Sequence, residues 1–398
     1  MNAITDKTVS ITLTPSGMKA VKKAHPWLYD SGIAKINKDA SSGDIAVLYD
    51  NKRKFAGIGL YDANSPIKVR LLHSGKSLTI SKDWLKERIS QSIELRKDLI
   101  ESSHTTGYRL ISGENDKLAG VVADIYDETL VIKLDSTCWI PHLNTLTDIF
   151  IQLIKPERII LRMSRSVKEF SSIKDGSVIF GNKISKRVTF LENGIKFYAD
   201  PVNGQKTGFF LDQRENRTKV GKLAEGIDVL NIFAYTGGFS LYAAKGGAKS
   251  VASLDISKPA LDECVDNFSL NDFKCKHELI CGDAFAEMDK LISSKNKYGM
   301  VIVDPPSFAR KQSDVTGAKS AYYKLNKLAT KLLSKGGILV AASCSARVNK
   351  DEFYETVISA VKSTGRRYEI INKTDHAKDH PIGFPEGAYL KCIFIKVS

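Results

Sequence analysis

The sequence predicts an α/β protein whose carboxy-terminal half is an open, mostly parallel sheet of seven strands, preceded by a small β module and a central α+β domain. Three observations predict it. Beyond residue 213, near-continuous apolar runs alternate with helical stretches, the pattern of parallel strands covered on both faces. Residues 10–72 instead break into short alternating runs separated by turns, which reads as a compact β module. Between the two, a charged amphipathic segment leads into mixed strand and helix patterns. The expected boundaries are 1–75 for the β module, 76–199 for the linking helix and central domain, and 200–398 for the α/β domain.

In chain order, SITLTPSG, SGDIAVLYD, KFAGIGLYD and PIKVRLL supply the strands of the first module. Its stretch MKAVKKAHPW gathers Lys19, Lys22, Lys23 and His25 beside Trp27, either a basic surface for a nucleic-acid backbone or lysines around a core tryptophan. Residues 81–101 place Trp84, Leu85, Ile89, Ile93, Leu95 and Leu99 among charges, an amphipathic helix. The central domain holds strands at AGVVADIYD, ETLVIKLDS, RIILRMS and GIKFYAD and a helix over 142–154. The α/β series then runs from a helix at QRENRTKVGKLA through strands DVLNIFAY, SVASLDIS, HELICGDA, YGMVIVDPP and GILVAAS. Helices are expected over KPALDECVDNFSLND, AFAEMDKLIS, 320–333 and 350–364. RYEIINK and YLKCIFIKV, without a convincing helix between them, read as a final antiparallel hairpin.

The chain has 398 residues, 42% of them hydrophobic, enough to bury well over half its potential surface in two or three domains. Lysine and arginine total 59 against 45 acidic residues, a net charge of +14 that favours a partner rich in phosphates, unless it serves only solubility. Cys138, Cys264, Cys275, Cys281, Cys344 and Cys392 form no CxxC pair and no Cys/His metal pattern. A disulfide framework, structural zinc or other metal is therefore not expected, and a reducing cytoplasm fits. MNAITDKTVS has no apolar segment of signal-peptide type, and no run approaches the roughly 18 apolar residues of a membrane span.

Open α/β sheets collect ligands beyond the carboxyl ends of their strands, so the residues just after the apolar runs carry the chemistry. NIFAYTGGFS lacks the GxGxxG fingerprint, although Gly237 and Gly238 permit close backbone approach; an ordinary tight turn explains them equally. Asp255, 24 residues beyond Asn231, ends the next strand, where a carboxylate can accept from both hydroxyls of a ribose. Asp283 can meet an adenine amino group or simply cap the following helix. These acidic strand ends point to an adenosine cofactor. With no GKS/T loop and no pyrophosphate cradle, S-adenosylmethionine fits better than NAD or ATP.

In VIVDPPSFARKQ, two prolines stiffen the chain after a strand and present Asp304 and Phe308 at defined places, one to hydrogen-bond a heterocyclic base and the other to stack on it. Cys344 in SCSAR ends the next strand, beside Asp304. It is either a buried free cysteine or a nucleophile. The nucleophilic reading answers a chemical need, because carbon 5 of cytosine is too weak a nucleophile to take a sulfonium methyl unaided. Thiolate addition at carbon 6 would enrich carbon 5, and a proton on Asp304 shared with ring nitrogen 3 would stabilise the adduct.

HPWLYDSGIA, YRLISGENDKLAGVVADIYD, KTGFFLDQRENR, NIFAYTGGFS, DPPSF and SCS together resemble the large-subunit ribosomal RNA 5-methylcytosine methyltransferases that use S-adenosylmethionine. The resemblance covers nearly the whole chain and implies an amino-terminal PUA-like RNA-binding domain before a Rossmann-like class I methyltransferase domain. It implies cofactor contacts at Gln213, Arg214, Phe233, Ala234, Tyr235, Gly237, Asp255, Asp283 and Asp304, a nucleophilic Cys344, 23S ribosomal RNA or an assembly intermediate as substrate, and a homodimer. RNA contacts are expected at Lys19, Lys22, Lys23, His25, Lys206 and Phe308. Lys206, Phe210 and Arg214 in KTGFFLDQR either close over cofactor or RNA or form a structural linker. DPPSFARKQ lacks the second cysteine common in the broader group of RNA 5-methylcytosine enzymes, which leaves the base that removes the carbon 5 proton unassigned. Two rivals remain: methylation of guanine or adenine on the same fold, and a noncatalytic RNA-binding protein.

Overall fold

The computed structural model describes residues 3–184, 187–309 and 311–398. Two compact units divide the chain. The first runs to Leu191 and adds Ala199–Leu211 and Asp379–Pro385; the second comprises Glu192–Tyr198, Asp212–Lys378 and Glu386–Ser398.

In the first unit, β1 (Thr8–Leu13), β2 (Trp27–Tyr29), β3 (Ile33–Ile36), β4 (Ile45–Tyr49), β5 (Phe55–Tyr61) and β6 (Ile67–Ser74) form a six-stranded sheet ordered β2-β6-β5-β4-β1-β3. A short helix, α1 (Pro15–Lys22), interrupts what the sequence presents as strands alone. Thr14 accepts the Gly17 amide and Pro15 occupies the first turn, so the capping is local. Only Gly17 and Val21 of α1 are buried, too few to reveal a helical period.

The segment expected as one amphipathic helix is broken. It forms α2 (Lys82–Glu94) and a single turn, α3 (Lys97–Ile100). Leu95, assigned to the apolar face, is 73% exposed, while its neighbour Arg96 is buried. Arg96 grips both carboxylate oxygens of Asp116 at 2.7 and 2.8 Å and donates to the carbonyls of Ser92, Arg109 and Asp379. All five guanidinium donors are thereby used, the condition for burying this charge, and the helix break turns the side chain inward to reach them.

β7 (Gly107–Ser112), β8 (Val121–Tyr126), β9 (Thr129–Leu134), α4 (Leu143–Ile154), β10 (Arg158–Met163), α5 (Arg165–Lys168) and β11 (Ser177–Gly181) follow, with the sheet ordered β11-β10-β9-β8-β7. A two-stranded pairing of β12 (Val188–Glu192) and β13 (Ile195–Ala199) comes next.

The second unit is built from α6 (Arg214–Leu223), β14 (Asp228–Ile232), α7 (Gly238–Lys245), β15 (Ser250–Asp255), α8 (Lys258–Ser269), β16 (Lys276–Cys281), α9 (Ala284–Ser293), β17 (Tyr298–Val303), α10 (Val315–Leu332), β18 (Leu333–Ser343), α11 (Lys350–Lys362), β19 (Tyr368–Thr374) and β20 (Lys391–Val397). Its seven strands lie in the order β16-β15-β14-β17-β18-β20-β19. Strands β14 to β18 run parallel, and β20 is antiparallel to both its neighbours. The final pair is antiparallel and added to the sheet as expected, with β20 next to β18 and β19 at the edge.

Side-chain alternation sorts the central strands between two cores. Leu230, Ile232, Val301, Val303, Leu339, Ala341, Ile393 and Ile395 pack on one face against Met288, Tyr322, Leu325, Phe353 and Val357 of α9, α10 and α11. Val229, Met300, Ile302, Val340, Ala342 and Phe394 pack on the other against Val220 of α6, Ala224 just after it, and Phe239 and Ala243 of α7. Both faces are covered, which is why these strands read as unbroken apolar runs. No helix among the described residues is long and apolar enough to cross a membrane.

Candidate active site

The parallel strands deliver their carboxyl ends to one edge of the sheet. Register pairs Ile232 with Leu254 on one side and with Val303 on the other, and Asp255 with Cys281. Chain order reverses between β14 and β17, the switch point where α/β sheets open a crevice for ligands. Phe233–Gly237 leave one flank of it and Asp304 the other.

The loop after β14 is tightly specified. Phe233 and Tyr235 hold positive φ of 62° and 49°, and Gly237 holds 86°. Such backbone needs support from its surroundings. Asp255 provides part of it, accepting the Tyr235 amide on one carboxylate oxygen at 2.8 Å and the Ser257 amide on the other at 2.9 Å. The Thr236 carbonyl accepts from the Asn267 side chain at 2.9 Å. A half-buried carboxylate anchored by amides and set beside a glycine turn has the donor–acceptor chemistry a ribose diol requires, so the residues present fit an adenosine cofactor. Asp283 is exposed and caps α9, its Oδ1 accepting from Phe285 and Ala286 at 3.1 and 3.0 Å.

Across the switch point, Asp304 Oδ2 accepts from Gln213 Nε2 at 2.9 Å. Gln213 Oε1 in turn accepts from Asn216 at 2.6 Å, and Asn216 Oδ1 accepts from Thr374, so the amide of buried Gln213 is fixed to present its NH2 group to Asp304. Gln213 is thus a partner of the Asp304 carboxylate. Arg214 is buried at the start of α6, its Nε 3.7 Å from Glu215.

The DPPSF and SCS loops are stitched together. Ser307 Oγ and Ser345 Oγ lie 3.0 Å apart, and the Tyr322 hydroxyl bonds Ser343 and Ser345 at 2.8 and 2.9 Å. Phe308 leans on the Tyr322 ring at 5.0 Å. Cys344 is half-buried between buried Ser343 and Ser345 at the end of β18, the parallel neighbour of β17. Burial raises the Tyr322 hydroxyl above the usual tyrosine range, and the negative charges of Cys344 and Asp304 push in the same direction, so one neutral hydroxyl senses both groups. Tyr322, Ser343 and Ser345 escape sequence reasoning because a tyrosine inside a helical period reads as core. Lys391 escapes it too, although a lysine opening an apolar strand is a visible anomaly. The residue is 1% exposed, and its ammonium donates to the carbonyls of Ser345, Val348 and Tyr389.

Among the residues expected to meet RNA, Lys19, Lys22 and Lys23 are exposed on and just after α1, and the half-buried His25 accepts the Trp27 amide through Nδ1. Lys206 lies over the Phe210 ring at 4.4 Å. These belong to the first unit, whereas Phe308, Asp304, Cys344 and the β14 loop belong to the second. Arg310, within DPPSFARKQ, lies outside the described residues.

A doubly wound sheet with acidic residues at its strand ends and a glycine turn without a phosphate loop defines the S-adenosylmethionine-dependent methyltransferase class. Comparison with known proteins agrees. Residues 177–383 match the S-adenosylmethionine-dependent methyltransferase family and residues 11–74 a PUA-like domain. A ribosomal RNA large subunit methyltransferase of Deinococcus radiodurans is 41% identical over 386 residues, 95% of each chain. Ribosomal RNA large subunit methyltransferase I of Aliivibrio fischeri is 36% identical over 96% of this chain and 98% of that one. A crystal structure described as a methyltransferase, SMU.776, complexed with SAH superposes with a TM-score of 0.84 at 24% identity, covering 98% of this chain and all of that one, which shows the shared fold. The chain belongs to the family of S-adenosylmethionine-dependent ribosomal RNA large subunit methyltransferases with an amino-terminal PUA-like domain.

Proposed function

We propose that this chain methylates carbon 5 of a cytosine in 23S ribosomal RNA, with Cys344 as the nucleophile. The observation that carries the proposal is the position of Cys344 and Asp304 at the ends of paired parallel strands, with the Tyr322 hydroxyl bonded to the serines on either side of Cys344. Phe233, Ala234, Tyr235, Gly237 and Asp255 are the residues that would hold the cofactor, with Asp304, Gln213, Arg214 and Asp283 bordering it. S-adenosylmethionine, when bound, supplies an electrophilic methyl group.

The chain's own residues do the rest. The Cys344 thiolate forms a bond to carbon 6 of the cytosine as the π pair of the carbon 5–carbon 6 double bond shifts toward carbon 5. Asp304, whose Oδ2 accepts from Gln213, carries the proton shared with ring nitrogen 3; that hydrogen bond orients the ring and disperses the developing charge. Once carbon 5 carries the methyl group, loss of its proton and cleavage of the carbon 6–sulfur bond restore the ring and free the thiolate. Phe308, whose ring leans on Tyr322, would flank a base brought out of its stack. Lys19, Lys22, Lys23, His25 and Lys206 are the RNA contacts of the reading, which takes residues 1–75 as the docking module, 76–199 as the central domain and 200–398 as the catalytic domain of a cytoplasmic homodimer.

The test is Cys344→Ala assayed at saturating S-adenosylmethionine, with nucleoside analysis of the 23S RNA product. Loss of 5-methylcytosine with cofactor affinity retained is expected. Near-normal turnover would reject the thiolate mechanism, and a methylated guanine or adenine in place of 5-methylcytosine would reject the cytosine.

A further inference from the structure

Lys391 is a charged side chain with almost no exposure in a strand that lies between two others. Burying an ammonium is costly unless every donor is met. Here the three protons match three carbonyls, those of Ser345, Val348 and Tyr389. Ser345 and Val348 belong to the loop that carries the chain from Cys344 toward α11. Register sets Lys391 directly opposite Ser343, the residue before Cys344. The strand continues with the core residues Ile393 and Ile395 on the same face; the lysine is the departure that calls for a reason.

We propose that Lys391 is a positioning residue of the reaction centre, whose buried ammonium clamps the loop after Cys344 through its carbonyls and, by its charge, favours the thiolate over the thiol at Cys344. A cation beside a cysteine lowers the free energy of the thiolate, and by reciprocity the thiolate lowers that of the ammonium. Burial pushes the Lys391 ammonium down to about 8, and the first opposing influence is Cys344. The other charged groups bearing on it are Lys350, which lowers it, and Glu352, which raises it, both on α11; Asp375 after β19 pairs with Lys350 at 2.7 Å. A positive charge held at Lys391 and a negative one at Cys344 therefore favour each other.

The catalytic purpose rests on the nucleophilic reading of Cys344, but the coupling can be measured without turnover. The full chain is treated with iodoacetamide from pH 6 to 10, and modification of the Cys344 peptide is followed by mass spectrometry. In Lys391→Met the midpoint of Cys344 reactivity is expected to rise by about one pH unit, a roughly tenfold slower reaction at pH 7. Protection of the buried Cys138 and Cys264 should stay unchanged and reports the intact fold. A Lys391→Met protein with the wild-type midpoint would overturn the proposal.

Should that variant fail to fold, the reciprocal measurement decides. The Lys391 13Cε signal, titrated in wild type and in Cys344→Ser, is expected to show a lower midpoint in the variant because the thiolate partner is gone. Equal midpoints would overturn the coupling. An active Cys344→Ala enzyme would defeat the nucleophilic reading whatever the titrations show, whereas an inactive one with uncoupled titrations would defeat only the role of Lys391.

Discussion

Gly237 closes the loop after β14, and replacing it with alanine tests whether that loop is as tightly held as its contacts imply. An alanine Cβ would stand 2.3 Å from Cys264 Sγ and 3.0 Å from Leu241 Cδ1, in a residue whose φ is +86°. The left-handed backbone alone costs an L-residue about 1–2 kcal/mol. Forcing a methyl into packed space adds about 1–3 kcal/mol. The loop cannot easily step aside: Asp255 holds the Tyr235 amide, Asn267 holds the Thr236 carbonyl, and the Gly237 amide is bonded to the Ala234 carbonyl. Relief must come from α8, which carries both Cys264 and Asn267 and packs on β15. A local loss of roughly 2–5 kcal/mol is expected, read by native-state hydrogen exchange as acceleration of about 30-fold or more in peptides covering α7 and α8. The double variant Gly237→Ala/Cys264→Ala should recover about 1–3 kcal/mol relative to the summed single variants, since only the steric part is relieved. Exchange within a factor of about three of wild type in the single variant, or additive behaviour in the double, would refute this reasoning.

Two further outcomes follow from the same strands. Asp255→Ala removes the carboxylate assigned to the ribose hydroxyls and should weaken S-adenosylmethionine binding by about 1.5–3 kcal/mol, roughly tenfold to more than a hundredfold, in calorimetry; unchanged affinity would refute the assignment. His277 is stacked on Phe268 at 3.7 Å and bonded to Ser253 at 2.9 Å, and burial pushes its imidazole down to about 4. The unfolded chain therefore takes up a proton near pH 6.5 that the folded one refuses until about 4, so stability contributed by neutral His277 falls as pH drops through that window. After discounting for its partial exposure, the loss between pH 7 and pH 5 is about 1 kcal/mol. His277→Gln should remove that part of the acid slope in denaturant unfolding, and an identical slope in both proteins would contradict it.

Much of the catalytic sheet is legible because burial on both faces leaves no alternative to apolar strands, as in DVLNI, YGMVIV and GILVAAS. The acidic strand ends follow from the same pattern, since a charge after an apolar run has to lie at the rim. What resists reading are features set by partners distant in sequence. Arg96 turns inward for Asp116 and Asp379, and that one buried charge breaks a helix whose periodicity promised to continue through Leu95. Strand order is likewise a tertiary property: YLKCIFIKV gives no sign that it inserts between β18 and β19. Asp283 illustrates two readings sharing one pattern, for a carboxylate before a helix caps it whether or not a ligand is near. Tyr322 is visible only when the loops it holds are seen together, and Lys391, though an anomaly in an apolar strand, acquires a role only there.

The covalent bond itself can be sought with a 23S RNA fragment in which cytidine is replaced by 5-fluorocytidine. Fluorine cannot depart as a cation, so the final elimination stalls after methyl transfer. With S-adenosylmethionine present, the expected product is an SDS-stable protein–RNA species whose nucleotide-bearing peptide contains Cys344. Efficient methylation of the unsubstituted fragment with no trapped species from the fluorinated one, or a nucleotide attached to any other residue, would contradict the assignment of Cys344 as the nucleophile.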